Sequence, residues 1–107
     1  MTSVEELASV SCQIIANVGE ARSLRLEAVQ AAKAGDFDRA EELLAQAEQA
    51  FLKGHEAHTT LIQQEAAGDP VSMTLLLTHA EDQLMSAEAF GILAEEFIDV
   101  YRRLGNR

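Results

Sequence analysis

The chain of 107 residues has no tryptophan, one tyrosine, one proline and one cysteine. A lone cysteine, Cys12, forms no internal disulfide. Without a CxxC or a Cys/His cluster, a zinc site lacks its ligands. Aromatics make up only 5% of the chain, and β-branched residues are sparse, which argues against a sandwich or barrel. Cations are also few: Lys+Arg number 8 against 18 Asp+Glu, a formal charge of −10. Nucleic-acid binding needs a basic stripe that displaces counterions, so no nucleic-acid partner is expected. Anionic membrane surfaces are disfavoured for the same reason. No apolar run approaches about 18 residues, so direct membrane insertion is not expected. The start, Met1-Thr2-Ser3-Val4-Glu5-Glu6, has no basic stretch of the kind that opens a secretory signal. The expectation is a soluble, cytoplasmic chain.

What is abundant is alanine, leucine, glutamate and glutamine, all strong helix formers. Hydrophobic residues reach 48%, enough for a packed core, and the length suits one domain, 1–107. Helix-breaking residues cluster at two places, Gly35-Asp36 and Gly68-Asp69-Pro70. At each, glycine suits the position past a helix end that needs φ > 0, and aspartate suits the next N-cap. Pro70 fits the first position of a following helix. Ser3 and Glu6 have the spacing of a capping box, and Gly105 suits the end of the last helix. The punctuation predicts helices near 4–34, 37–67 and 70–104. Short connections make neighbours antiparallel. The predicted fold is all-α, an up-down-up three-helix bundle.

The core faces follow from spacing. Helix 2 offers Phe37, Ala40, Leu44, Ala47, Phe51, Gly54, His58 and Leu61, at alternating steps of three and four. Helix 1 offers Val4, Leu7, Ile14, Val18, Ala21 and Ala28. Helix 3 offers Leu76, Ala80, Gln83, Ala87, Phe90, Ala94, Phe97, Tyr101 and Leu104. It also carries a second stripe: Leu75, His79, Asp82, Ser86, Ala89 and Leu93. Two readings fit that stripe, a wide core face or a surface that meets other copies of the chain.

No phosphate-binding glycine loop, GxSxG or HExxH occurs. The candidates for chemistry are histidines and carboxylates. His79 and Asp82 share a helical face. They fit a ligand pair, a nucleophile with a nearby acid, or an incidental surface pair. His79 follows Leu75-Leu76-Leu77-Thr78, so its ring emerges from an apolar patch, and an imidazole near neutrality is a good phosphoryl acceptor. Asp82 on an apolar stripe needs a proton, a cation or donors if buried. Gln83 lies one turn from His79. His55 suits a hydrogen-bonding partner or a solvated position, and His58, on the seam, a satisfied core histidine.

Several segments together carry a family resemblance: Ile14-Ile15-Ala16, Gly19-Glu20-Ala21-Arg22-Ser23, Ala31-Ala32-Lys33-Ala34-Gly35-Asp36-Phe37, His55, Thr59, Glu65-Ala66-Ala67-Gly68 and Tyr101-Arg102-Arg103. Most telling is His79-Ala80-Glu81-Asp82-Gln83-Leu84-Met85, which is similar to a phosphorylation segment usually written H-x-Q-D-H-L-M. In order and spacing the chain resembles the IIA component of the lactose/cellobiose (N,N′-diacetylchitobiose) class of the sugar phosphotransferase system. The resemblance implies a homotrimer of nine helices. It implies that His79 accepts a phosphoryl group from the phosphocarrier HPr and passes it to a cysteine of a IIB component, which serves the membrane IIC permease during uptake of a β-linked disaccharide. It further implies that Asp82 and its two copies share one divalent cation, expected to be Mg²⁺. Glu81 stands where Gln is usual, and Gln83 where a second His is usual.

With a helix starting at residue 70, His79 would lie about three turns in, too deep for the helix N-terminus to stabilise a phosphoryl directly. Gln83, Thr78 and His55 are then the candidate supporting groups. Two rival functions fit a helical bundle. One is a non-catalytic adaptor or regulatory paralogue that docks partners through helix 3. The other is a histidine phosphotransfer domain, which usually has a fourth helix and a lysine near its histidine.

Overall fold

A computed structural model describes residues 3–105. It contains α1 (Val4–Lys33), α2 (Phe37–Ala66) and α3 (Leu75–Gly105) in a rod of 57 × 20 × 19 Å. The all-α, up-down-up reading is what the structure shows. Ser3 caps α1, its side chain accepting from the Glu6 N–H at 3.1 Å. Asp36 caps α2 by accepting from the Arg39 N–H, also at 3.1 Å.

The two glycines act as expected. Gly35 and Gly68 have φ of 86° and 93°, which L side chains rarely adopt. At the first turn Asp36 N–H donates to Ala31 O and Gly35 N–H to Ala32 O. At the second, Asp69 N–H donates to Gln64 O and Gly68 N–H to Glu65 O. Both are Schellman closures, which satisfy the carbonyls that a helix end leaves open.

The start of α3 differs from the sequence expectation. Pro70 does not open the helix, and Asp69 is not its cap. Residues 70–74 are non-helical, and Thr74 is the cap: its hydroxyl accepts from the Leu77 N–H at 3.1 Å, and its carbonyl from the Thr78 N–H at 2.9 Å. The reason is topological. Both α2 and α3 pack along α1, and they hardly touch each other. The α1–α2 turn joins adjacent helices and needs few residues. The chain from α2 to α3 must travel past the α1 flank, so it stays non-helical, with Val71 leaning on the core and the Thr74 N–H turning back to Ser72 O at 3.1 Å, until Thr74 caps the leucine run.

The core is built from small residues at regular intervals. Ala21, Ala28 and Ala32 of α1, Ala40, Ala47, Ala50 and Gly54 of α2, and Ala80, Ala87, Gly91 and Ala94 of α3 are all buried. Small residues let helix axes approach closely. Larger buried side chains concentrate in one cluster around Leu7, Ile14, Val18, Leu61, Leu77 and Leu84.

Three expectations of burial are corrected. On α2, Leu43 and Ala50 are buried where the spacing predicts Leu44 and Phe51, which are half-buried. Val4 is 75% exposed, because it is the first residue of α1 and lies beyond the reach of the other helices. On α3 the buried stripe is Leu77, Ala80, Leu84, Ala87, Gly91, Ala94 and Ile98. Ala80, Ala87 and Ala94 are buried as the spacing predicts, and a rotation of part of a residue step buries Leu77, Leu84, Gly91 and Ile98 in place of Leu76, Gln83, Phe90 and Phe97. Leu76, Gln83, Phe90 and Tyr101 are half-buried, while Phe97 and Leu104 are exposed. The rotation brings Gly91 inward, where a Cβ would come within 2.5 Å of the Arg25 Cζ.

Arg25, like the buried Ser11, is a core residue that hydrophobic patterning does not reveal. It is 8% exposed. Its Nη1 donates to Ala87 O of α3 at 2.9 Å, its Nη2 lies 3.6 Å from Glu48 Oε2 of α2, and its guanidinium sits 4.8 Å over the Phe51 ring. One α1 side chain thereby ties both flanking helices. Towards the other end, Arg102 of α3 pairs with Glu41 of α2 at 2.6 Å and stacks on Phe37.

Candidate functional site

The later start of α3 changes the setting of His79. With Thr74 as cap, His79 is in the second turn of α3. Helical side chains lean back towards the N-terminus. The Leu75 and Leu76 N–H groups precede the first intrahelical bond and have no partner among the described residues. Such orphan donors and the positive end of the helix dipole favour an anion. The sequence expectation that the N-terminus lies too far away is thus overturned by where the helix begins. His79 is exposed and, with Leu75 and Leu76, lines an open apolar pocket.

The other candidates fall into two sets. Asp82 is exposed, one turn along the same side of α3 as His79. It has no hydrogen-bond or ion-pair partner among the described residues. Gln83 is half-buried at the next turn. His55 is exposed on α2, its ring stacked at 6.1 Å on Phe51, and no contact joins it to His79 among the described residues. His58 is part-buried, and its Nε2 lies 2.6 Å from Glu81 Oε1. It is the satisfied histidine the seam suggested, but its partner is on α3.

The second stripe of α3 is not core. Leu75, His79, Asp82, Ser86, Ala89 and Leu93 are all exposed, with Leu75 at 87% and Leu93 at 56%. At 3.6 residues per turn the apolar members lie opposite Leu84 and Gly91. Val100 and Leu104 continue the line. The helix thus has two apolar faces, and one chain covers only one of them. Among the described residues, no three His, Cys, Asp or Glu side chains cluster to hold a metal ion within one chain. Among the described residues no helix is long and apolar enough to cross a membrane.

The structure is an elongated all-α bundle with an exposed histidine on a two-faced helix, and comparison with known proteins decides its family. The family of lactose/cellobiose-specific IIA subunits of the phosphotransferase system matches residues 9–102. The lactose-specific EIIA component of Streptococcus mutans is 40% identical over 99 residues, 92% of this chain and 95% of that protein. The lichenan-specific enzyme IIA component of Bacillus subtilis is 41% identical over 100 residues, 94% and 91% of the two chains. Among solved structures, the cellobiose-specific enzyme IIA from Bacillus anthracis superposes with a TM-score of 0.91 at 40% identity, covering 100% of this chain and 96% of that one. A IIA(chitobiose) structure solved in complex with HPr gives 0.82 at 33% identity, covering 94% and 97%. The chain belongs to the lactose/cellobiose IIA family. It is a IIA phosphotransferase component, a phosphoryl carrier of a sugar phosphotransferase system.

Proposed function

We propose that His79 is the phosphoryl acceptor, with phospho-HPr as donor and a cysteine of a IIB component as recipient. The observation that carries this is the position of His79: exposed, in the second turn of α3, lining one open pocket with Leu75 and Leu76, whose N–H groups open the helix without a partner among the described residues. A ring nitrogen of His79 attacks phosphorus in line. The P–N bond to the donor ring breaks, and its electron pair returns to that ring. In the second transfer a thiolate attacks, a P–S bond forms, and His79 regains its lone pair. The chain mostly positions groups and stabilises charge on the phosphoryl oxygens. Gln83, within a turn of the ring, supplies a hydrogen-bonding amide that cannot titrate. His55 lacks a contact to His79 within the chain, so a supporting role for it requires a neighbouring copy.

The uncovered face of α3 supports a homotrimer, three copies of α3 meeting along Leu75, Asp82, Ala89 and Leu93. Nine helices would then share one interior. Asp82, partnerless on that face, has the oxygen donors a hard divalent cation takes, and three copies would supply carboxylates to one Mg²⁺. The lactose and lichenan specificities of two relatives support a β-linked glycan or disaccharide as the transported sugar. The work is cytoplasmic, on the inner side of a IIC permease that this chain serves through IIB. The alternative, a regulatory adaptor docking through helix 3, predicts no acid-labile phosphate. Incubation with phosphoenolpyruvate, Enzyme I and HPr, followed by intact-mass measurement, tests the reading. The chain should gain one phosphoryl group, and His79→Gln should keep the helical spectrum yet take none. Label that persists in His79→Gln, or maps to His55 or His58, refutes the assignment.

A further inference from the structure

Glu81 departs from the glutamine usual in the phosphorylation segment, and the structure gives that departure a partner. His58 Nε2 of α2 donates to Glu81 Oε1 of α3 at 2.6 Å, with the two side chains 16% and 35% exposed. The contact bridges α2 and α3 just outside the buried Leu61–Leu77 cluster. α2 and α3 hardly touch, and beside Glu81 a cleft opens between them, lined by Leu61, Ile62, Glu65, Val71, Met73 and Leu77. The Arg102–Glu41 pair ties the far end of α3 to α2, and His58–Glu81 ties the end that bears His79.

We infer that His58 and Glu81 are positioning residues that set the rotation of the first turns of α3 and so the placement of the His79 ring. Glu81 is two residues from His79, about 200° around the helix. A tether on that flank fixes the angle at which His79 leaves the other. The ring nitrogens of a helical histidine stand roughly 6–7 Å from the axis, so a turn of about 10° moves them by ~1 Å. Such a misplacement lowers transfer rates by up to ~100-fold. Leu77, Ala80 and Leu84 hold this segment of α3 on α1, but apolar contacts resist sliding and rolling less than a directional hydrogen bond does.

This inference rests on His79 as acceptor, so its test has one readout that does not depend on transfer. Amide hydrogen exchange and the rate of phosphoryl uptake from phospho-HPr are measured for wild type, Glu81→Ala, Glu81→Gln and His58→Ala. In Glu81→Ala and His58→Ala, amides of Leu77–Leu84 should exchange roughly 5- to 10-fold faster, while those of Ala94–Tyr101 stay unchanged, the size expected for one lost hydrogen bond. Uptake should fall about tenfold, mainly in the maximal rate and not in the half-saturating HPr concentration. Glu81→Gln, which still accepts from His58, should restore most of both. Exchange that rises equally along all three helices, uptake that stays at the wild-type rate, or a glutamine that does not rescue would each overturn the inference. If wild type takes no label, the acceptor assignment fails, and the exchange contrast still decides whether the tether exists.

Discussion

Replacing Gly91 by alanine should destabilise the chain only while Arg25 is present. The added Cβ would stand 2.5 Å from Arg25 Cζ, 2.6 Å from Nη1 and 2.8 Å from Nε, so the guanidinium must leave. It then loses its bond to Ala87 O, a charged hydrogen bond that contributes about 1.5–3 kcal/mol. It also loses the face of Phe51, about 0.5–1 kcal/mol for a partly hydrated cation–π contact. The Glu48 contact adds little, because that carboxylate is 57% exposed. Rehydration of the guanidinium returns part of the loss, and alanine in a helix interior gains roughly 0.5–1 kcal/mol over glycine. The net is about 1–2 kcal/mol of destabilisation. For a domain of this size that lowers Tm by roughly 5–10 °C. In an Arg25→Ala background nothing occupies the space, so Gly91→Ala should stabilise by about 0.5–1 kcal/mol. The assay is thermal unfolding of the four proteins by circular dichroism at one protein concentration, since association shifts Tm. The sign of the Gly91→Ala effect should reverse between backgrounds. The same loss in both would refute the account of Gly91 as room for Arg25.

Two further outcomes follow from the same geometry. Gly54→Ala places a Cβ 2.7 Å from Val18 Cγ1, a buried β-branched side chain that cannot swing aside, so α1 and α2 must part. The urea midpoint should fall, by the equivalent of about 1–2 kcal/mol after the helix-propensity gain, with an unchanged m-value. Asp82→Leu should make association independent of divalent cations. Two unit charges 4 Å apart at an effective dielectric of about 20 repel by roughly 4 kcal/mol, and leucine removes that repulsion. Sedimentation with and without EDTA should show wild type weakening and the variant unmoved; a monomer under all conditions, or equal sensitivity of both, would end the trimer proposal.

The helices of this chain are legible in its sequence because their ends rest on local chemistry. Gly35 and Gly68 close Schellman turns through φ > 0, and Asp36 caps α2, all readable from residue type and spacing. Pro70 misleads because its preference for a helix start is also local, while the start of α3 is decided by distance. The chain from α2 must clear α1 before Thr74 caps the leucines. The core face of α3 misleads for a related reason. Patterning rewards large apolar residues, so Phe90 and Phe97 outrank Gly91 and the seam is placed part of a residue step off. Gly91 faces the guanidinium of Arg25, a charged residue from a different helix that no hydrophobic period registers.

The site shows the same division. His79 and Asp82 are visible in the sequence as polar residues on an apolar stripe, and that stripe remains exposed on the folded chain. The groups that would serve the phosphoryl are not visible there. The Leu75 and Leu76 N–H groups carry no side-chain signature, and they become donors near His79 only because the helix starts five residues later than Pro70 suggests. His58 and Glu81 are separated by 23 positions and each has an ordinary surface reading alone. Their meeting depends on how α2 and α3 lie along α1. A substitution in the segment around His79 therefore has to be judged against the opposite helix. Glutamate at position 81 looks like a charge misplaced beside an anion carrier until His58 is seen to hold it, and the pair then belongs to the positioning of the site and not to its chemistry.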